Sequence, residues 1–289
     1  MTVAAPELSV AAADGHRWIL IGRRPDAPRA RLLWLPALGV GARHYLPFAE
    51  ALAAQGIATY LHEWRGNGSS SLRPSREMDW GYREILALDL PASLQALRAD
   101  DASLPLVIGG HSLGGQLACC FAGQHPEAFA GLWLIAAGTP YWRTFPPPRR
   151  WLLPLLFRFL PWLARRQGVL PGRRLGFGGT EARGLIADWA RVGLCNRYAA
   201  AGLEADLEAG MRRVRAPVAG LLPAHDWLAP RASMQALVDK LPDAPARILD
   251  LDEVTAPLTP AGHFAWMKQP EEVARAFAAS DLKKFSPEC

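Results

Sequence analysis

One short motif in this chain has residue types that suit nucleophilic catalysis. The segment Gly110-His111-Ser112-Leu113-Gly114 has the pattern G-x-S-x-G; it follows the apolar run 106–108 and precedes the helix-forming residues 116–122. This order predicts a strand, a very tight turn and a helix, with Ser112 at the apex. Flanking glycines are needed because strand and helix pass within contact distance, and the helix N-terminus offers N–H groups to a developing negative charge. The motif therefore predicts that Ser112 is a nucleophile.

A nucleophilic serine needs a general base and an acid that orients the base. Asp226 follows the predicted strand 217–222, and His263 follows the predicted strand 246–251 in a loop with Gly262. The order Ser, Asp, His is expected when an elbow serine is completed by later strands of a parallel sheet. Ligand sites in such sheets gather at the carboxyl ends of the strands, where all three residues would lie.

The base and the acid both have competitors in the sequence. The chain has seven histidines, but only His263 combines a post-strand loop, a glycine neighbour and a position after both other residues. The acid is less constrained, because Asp250, Asp252 and Glu253 also precede His263. Asp226 is the predicted acid, and these three carboxylates remain alternatives.

These motifs give the chain a resemblance to the α/β-hydrolase superfamily over nearly its whole length. It is similar to predicted hydrolases of the serine aminopeptidase and monoacylglycerol lipase-like branch. The residues that carry the resemblance are the elbow at 110–115, the segment Arg65-Gly66-Asn67-Gly68-Ser69-Ser70, the segment His225-Asp226-Trp227-Leu228-Ala229-Pro230, and Gly262-His263-Phe264. The resemblance implies the fold, a triad of Ser112, Asp226 and His263, and hydrolysis, but no particular substrate.

The resemblance also implies an oxyanion hole, for which this chain has an unusual sequence. Relatives often carry His-Gly after the third strand, whereas residues 36–41 here are Pro-Ala-Leu-Gly-Val-Gly. By position, Leu38 and Leu113 would donate the two backbone N–H groups. Each donor of this kind stabilises a tetrahedral oxyanion by roughly 3 kcal/mol.

The rest of the chain alternates strand and helix patterns. Strands are predicted at 16–22, 31–35, 57–61, 106–110, 131–136, 217–222 and 246–251, and helices at 46–55, 82–98, 113–123, 232–241 and 270–279. The alternation predicts an α/β-hydrolase fold, with a mostly parallel eight-stranded sheet and helices on both faces. Pro91 predicts a break or an offset in the second helix, because proline disrupts a helix interior.

Residues 141–213 interrupt this alternation. They are predicted to form a helical cap, inserted after the sixth strand between the core-domain segments 1–140 and 214–289. The segment contains three consecutive prolines at 146–148, a leucine- and tryptophan-rich run at 151–163, and several Arg-Arg pairs. The run is too short and too interrupted to span a bilayer. It either packs as the core of the cap or forms a basic interfacial patch with weak contact to membranes or lipid aggregates.

The composition argues against several other classes of protein. The 289 residues are 50% hydrophobic and 20% charged, with a net charge of +5, as is ordinary for globular proteins. The four cysteines form no C-x-x-C pair and no H-E-x-x-H spacing occurs, so no disulfide framework, metal or other cofactor is predicted. No basic run with interleaved aromatics predicts nucleic-acid binding. No secretory signal is recognised, so a cytoplasmic location is expected, and no feature indicates an oligomeric state.

The sequence therefore predicts a serine hydrolase that acts on a small acyl substrate. It would cleave a carboxylic ester or thioester with a hydrophobic part, through an acyl-enzyme. Tyr141, Trp142, Trp227 and Phe264 are candidate substrate-binding residues, because they lie near the predicted catalytic loops in the sequence. Two alternatives stay open: an acyltransferase that uses the same triad with an alcohol or amine in place of water, and a non-catalytic binding module on a hydrolase fold.

Overall fold

The computed structural model describes residues 3–251 and 262–280. The strands are β1 Val3–Ala4, β2 Glu7–Ala11, β3 Arg17–Pro25, β4 Ala30–Leu35, β5 Ile57–Leu61, β6 Leu106–His111, β7 Gly131–Ile135, β8 Leu170–Pro171, β9 Thr180–Glu181, β10 Val218–Leu222 and β11 Ala246–Asp250. The α-helices are α1 Leu46–Ala53, α2 Tyr82–Glu84, α3 Leu90–Asp100, α4 Leu113–Gln124, α5 Arg149–Gln167, α6 Gly172–Leu175, α7 Arg183–Cys195, α8 Leu207–Met211, α9 Arg231–Val238 and α10 Pro270–Ala279. Short 3-10 turns occur at Ala42–Tyr45, Trp142–Thr144 and Ala265–Lys268.

Nine of these strands form one sheet in the order β1-β3-β5-β4-β6-β7-β10-β11, with β2 also paired to β3. The six strands from β5 to β11 in this order are parallel, and β3 runs antiparallel to β5. The predicted mostly parallel sheet is confirmed, and the ends of the predicted strands differ from the observed ends by a few residues. Strand β2 and the two-residue strand β1 were not predicted from the sequence. With them the sheet has nine strands, one more than the predicted eight.

The sheet is covered on both faces because alternate side chains of its strands point to opposite sides. All residues of β4 are buried. Leu32 and Trp34 pack in one core with α1 and α10, whereas Leu33 and Leu35 pack in the other with α3, α4 and α9. Continuous apolar strands of this kind are typical of parallel sheets with two covered faces. The packing fixes the carboxyl ends of the strands, on which the candidate site is built.

The interruption predicted at Pro91 is a π turn. Helix α2 continues into the π turn Ile85–Asp89, and Pro91 is among the first residues of α3. Proline has no N–H to donate and its ring crowds the carbonyl four residues earlier, so a wider turn at this point relieves the clash. Asp89 at the end of the turn is buried and hydrogen-bonds to Arg65 and His16.

Residues 141–213, which we call the cap segment, lie between β7 and β10 in the chain. Helices α5 and α7 pack together with β8 in a small apolar core, and Leu185 and Val192 of α7 also pack in the main core. Helix α8 packs closely on α4. A Cβ on Gly123 of α4 would lie only 2.5 Å from the backbone nitrogen of Met211 in α8. Just before the cap segment, the Thr139 hydroxyl donates to the side-chain carbonyl of Asn196, directly after α7, at 2.9 Å. The division into core domain and cap stays a prediction.

Candidate active site

Ser112 lies in the tight turn between β6 and α4. Its φ of 56° and ψ of −120° are rarely adopted by residues with a side chain, and strain of this kind clusters at functional positions. A Cβ on Gly110 would lie 2.4 Å from the carbonyl carbon of Gly114, and a Cβ on Gly114 would lie 2.1 Å from the carbonyl oxygen of Leu35. Only glycine fits on either side of the serine, which therefore stands at the N-terminus of α4 as the motif predicts.

Asp226 and His263 form a buried hydrogen-bonded pair. His263 Nδ1 lies 2.8 Å from Asp226 Oδ2. The other carboxylate oxygen, Oδ1, accepts the backbone N–H groups of Leu228 and Ala229 at 2.9 and 3.2 Å. These bonds fix the orientation of the carboxylate in the loop after β10. With Nδ1–H donating to it, Nε2 is the imidazole nitrogen that can accept a proton.

Of the three alternative acids, the structure describes only Asp250. Asp250 ends β11, and its carboxylate forms an exposed ion pair with Arg231. Asp252 and Glu253 lie outside the described residues. The geometry thus brings Asp226 to His263 and gives Asp250 a different partner.

Ser112 and His263 line the same cavity, whose volume is about 200 Å³. Leu38 and Leu113, the predicted oxyanion-hole residues, line it as well. Leu113 is the first residue of α4, where N–H groups have no partner within the helix. The cavity therefore collects a serine, a histidine and two candidate backbone donors.

The loop after β4 is held by two side chains that the sequence analysis did not single out. The Ala37 N–H donates to the Tyr45 hydroxyl at 2.9 Å, and the Trp64 indole N–H donates to the Pro36 carbonyl at 3.0 Å. Tyr45 Oη is also 2.9 Å from His111 Nδ1. Burial lowers the pKa of His111 well below its usual value, so the imidazole is neutral and accepts the tyrosine proton. These bonds give the Pro-Ala sequence a defined conformation.

Most of the cavity wall is apolar. Its large side chains are Phe145, Leu153, Leu156, Phe157, Phe177, Trp189, Trp227 and Phe264. Two of the predicted substrate-binding residues, Trp227 and Phe264, are thus in the wall. Tyr141 and Trp142 are not among its lining residues; they pack on each other, and Trp142 also packs on Trp151. Substrate contact by Tyr141 and Trp142 stays a prediction.

One face of α5 is apolar and exposed to solvent. Its exposed apolar side chains are Trp151, Leu152, Leu155, Leu156, Phe159 and Trp162, of which Leu155 has the largest exposed fraction at 66%. A groove of about 450 Å³ lies between this face and Trp227, and the Arg149 guanidinium stacks on the Trp227 ring at 5.0 Å. Leu153, Leu156 and Trp227 line both the groove and the cavity. Among the described residues, no helix has the length and hydropathy needed to cross a bilayer.

A second Ser–His–Asp arrangement lies in the core. His16 Nε2 is 2.9 Å from Ser70 Oγ, and His16 Nδ1 is 3.1 Å from Asp89 Oδ1. All three side chains are buried, and Asp89 accepts two hydrogen bonds of 2.7 Å from Arg65. Ser70 Oγ also accepts the Gly66 N–H. We interpret this cluster as the support of the 65–70 loop, because its groups are buried and already bonded to each other.

Two of the cysteines, both in α4, do not compete with Ser112 as nucleophiles. Cys119 and Cys120 are buried in α4, and burial raises the pKa of Cys119 to about 12. A thiol with such a pKa stays protonated and unreactive at neutral pH.

In the part of the chain that the structure describes, no group of three His, Cys, Asp or Glu side chains is placed to hold a metal ion.

Comparison with known proteins assigns the chain to a family. A family model described as "Serine aminopeptidase, S33" matches residues 26–254. The chain belongs to the serine aminopeptidase S33 family. A Schizosaccharomyces pombe protein assigned as a monoglyceride lipase is 35% identical over 124 residues, which are 42% of this chain and 32% of that protein. The matched stretches span about a third of the length of the curated relatives.

Solved structures resemble this member of the S33 family over nearly its whole length. DcsB in complex with a substrate analogue has a TM-score of 0.65 at 16% identity, covering 99% of this chain and 100% of that chain. A structure from a study of LipS and LipT, two lipolytic enzymes from a metagenome, has a TM-score of 0.60 at 19% identity, covering 89% of this chain and 96% of that chain. At these identities the likeness shows the fold, which is the predicted α/β-hydrolase fold.

Proposed function

We propose that this S33-family protein is a serine hydrolase that cleaves carboxylic esters or thioesters with a hydrophobic acyl part. The observation that carries the proposal is that Ser112, on its strained turn, and His263, paired with Asp226 at 2.8 Å, line one apolar cavity. A strained nucleophile, a base and an acid that orients the base are the parts that acyl transfer through a covalent intermediate requires.

In the proposed mechanism, His263 Nε2 removes the hydroxyl proton as Ser112 Oγ attacks the carbonyl carbon. The backbone N–H groups of Leu38 and Leu113 stabilise the resulting oxyanion. The tetrahedral intermediate collapses, the bond to the leaving oxygen or sulfur breaks, and the imidazolium returns its proton to that atom. A water molecule, activated by His263, then attacks the acyl-enzyme and releases the acid. Asp226 keeps the proton of His263 on Nδ1 throughout.

The character of the cavity favours an apolar acyl group over a peptide. Apart from Ser112 and His263, few of the described lining residues have a side chain that can hydrogen-bond. They are Gln116 and two tryptophans, Trp189 and Trp227. An aminopeptidase needs a carboxylate to pair with the amino terminus of its substrate, and the described wall has none. Burial of a hydrocarbon chain against such a wall contributes about 0.8 kcal/mol for each CH₂ group.

The proposal is tested with p-nitrophenyl esters of increasing acyl length, together with a matched thioester and a matched amide. We expect ester and thioester cleavage with release of the free acid, and amide cleavage that is slower by orders of magnitude. Adding an alcohol or an amine as acceptor separates hydrolysis from acyl transfer, because a transferase would convert most of the acyl group into the acceptor product. Failure to cleave any member of the series would contradict the proposal.

We expect Phe177 to influence the choice of acyl chain. Phe177 lines the cavity and packs on Trp189 at 5.2 Å, so Phe177→Ala should remove wall area that only a longer chain contacts. The ratio of kcat/KM for the preferred ester to that for the acetyl ester should change by about 10- to 100-fold, the scale of apolar pocket discrimination. Phe159→Ala, on the exposed face of α5, is the matched control and should leave the ratio unchanged. An unaltered profile in Phe177→Ala would place the acyl chain elsewhere.

The cap segment would also make weak contact with lipid surfaces through α5. Exposed apolar side chains on one face, with arginines at 149, 150, 165 and 166 near the helix ends, suit the interface of a membrane with anionic headgroups. Leu155→Asp should lower binding to phosphatidylglycerol vesicles in co-sedimentation by about tenfold or more, because burial of one leucine contributes about 1.5–3 kcal/mol. Val3→Asp, at an exposed position on β1, should have no effect. Equal binding of both variants, or no binding by the unaltered protein, would reject this contact.

A further inference from the structure

The loop that carries the candidate oxyanion donor Leu38 is in backbone contact with the cap segment. Gly39 has a φ of +73°, and a Cβ on it would lie 2.2 Å from the backbone nitrogen of Gly179 and 2.5 Å from the carbonyl carbon of Gly178. The Leu38 side chain approaches the same loop, with its Cδ2 atom 3.5 Å from the position of a Cβ on Gly178. Main chain therefore packs directly on main chain, and both loops need glycine at the contact.

The glycine loop of the cap segment has a defined shape of its own. Strands β8 and β9 pair antiparallel at its base. Inside the loop, the Arg173 N–H donates to the Gly179 carbonyl at 3.1 Å, and the Phe177 N–H donates to the Gly172 carbonyl at 3.0 Å. This loop thus presents Gly178 and Gly179 at a fixed position.

One buried carboxylate holds the contacting end of this loop. Glu181, at the end of β9, is 5% exposed, and its Oε1 atom accepts the Gly179 N–H at 2.6 Å. A Cβ on Gly178 or Gly179 would lie only 3.2 or 3.0 Å from this oxygen. Burial raises the pKa of the Glu181 carboxyl, and its Oε1 atom accepts the N–H whether or not the carboxyl is ionised. Removing this oxygen should therefore release the peptide that touches Gly39.

Glu181 also lies behind both candidate oxyanion donors. It shares the lining of a small cavity of about 10 Å³ with Leu38, Gly39 and Leu113. On the other side, Tyr45 and Trp64 hold the preceding Pro36–Ala37 segment. The peptide that bears the Leu38 N–H is thus supported from the core before it and from the cap segment after it.

We propose that Glu181 is a positioning residue for the oxyanion hole. Through the Gly178–Gly179 backbone it holds the Leu38–Gly39 peptide, and with it the direction of the Leu38 N–H. The inference rests on the proposed serine hydrolase function. It means that the cap segment contributes to stabilising the transition state as well as to choosing the substrate.

The test compares Glu181→Ala with Glu181→Gln on a p-nitrophenyl acetate assay, with a trifluoromethyl ketone as an analogue of the tetrahedral intermediate. In Glu181→Ala we expect kcat to fall by about 10- to 100-fold, with KM nearly unchanged. This fall is no larger than the one caused by removing a whole oxyanion-hole donor. The inhibition constant of the ketone should rise by the same factor as kcat falls. Glu181→Gln keeps an oxygen that accepts the Gly179 N–H and should retain most of the activity.

Several outcomes would overturn this inference. They are an unchanged kcat in Glu181→Ala, a loss that appears in KM alone, or a loss of kcat with unchanged ketone affinity. Melting temperatures check that the variants fold; if Glu181→Ala does not fold, Glu181→Met, which fills the same space without an acceptor oxygen, takes its place. Labelling of the unaltered protein by a fluorophosphonate that is lost in Ser112→Ala verifies the proposed function independently, so the two failures are distinguishable.

Discussion

Replacing Ser112 by alanine should remove esterase activity and labelling by a fluorophosphonate probe while leaving the fold intact. The change deletes one oxygen of a partly buried side chain and leaves the flanking glycines in place, so the melting temperature should change little. Loss of the nucleophile in a serine hydrolase lowers kcat by about 10⁶-fold. The measurement is in-gel labelling together with turnover of the preferred ester.

Ser70→Ala is the matched control for this experiment. Ser70 belongs to the buried Ser–His–Asp cluster with His16 and Asp89, which we interpret as structural. The control should lower the melting temperature and keep the labelling. Undiminished labelling of Ser112→Ala would reject the proposed nucleophile, and an absence of labelling in the unaltered protein would favour the non-catalytic binding module.

Asp226→Asn should lower kcat by about 10⁴-fold, the loss expected when the acid of a triad no longer fixes the histidine tautomer. The asparagine amide can present an N–H to His263 Nδ1 in place of an acceptor, which favours the tautomer that cannot take the serine proton. The backbone bonds from Leu228 and Ala229 can persist on the remaining oxygen, so the loop should stay folded. Steady-state turnover and the melting temperature measure the two effects separately.

Asp250→Asn is the matched control for the acid, since Asp250 pairs with Arg231. It should change turnover by less than about tenfold, because an exposed ion pair contributes at most about 1 kcal/mol. The assignment of Asp226 would be wrong if Asp226→Asn were nearly silent and Asp252→Asn or Glu253→Gln were severe.

The parts of the site that could be predicted from the sequence are those with local causes. The elbow is recognisable from five residues, because Gly110 is required by its contact with Gly114 within the same turn, although Gly114 is itself required by the carbonyl oxygen of Leu35 in β4. The Asp226–His263 pair could be predicted because chain order in a parallel sheet determines which strand ends meet. The interruption at Pro91 could be predicted because proline disfavours the interior of a helix.

The parts that could not be predicted depend on contacts between distant segments. Tyr45 reaches the Ala37 N–H only because the 3-10 turn before α1 folds back on the sheet. The hydrophobic pattern of the sequence does not indicate this contact. Strand β2 escaped notice because its residues Glu7–Ala11 are mostly exposed or half-buried and lack an apolar run. Helix α5 continues through Pro154 and Pro161, against the usual cost of about 3 kcal/mol for each interior proline, because it packs on α7.

The hydrogen bond between Thr139 and Asn196 has a consequence for how proteins of this fold can vary. It joins the chain just before the cap segment to the chain just after α7, so the intervening residues form a closed excursion from the sheet. Doubling the length of a closed excursion costs only about 0.6 kcal/mol in loop entropy, so its length can change in evolution at little entropic cost. Its sequence is less free, because Leu185 and Val192 of α7 pack in the main core. The contact of Gly178 and Gly179 with Gly39 restricts this freedom. If Glu181 has the proposed role, a transplanted cap should lower the kcat of the proposed hydrolase unless it also brings a glycine loop to the same peptide.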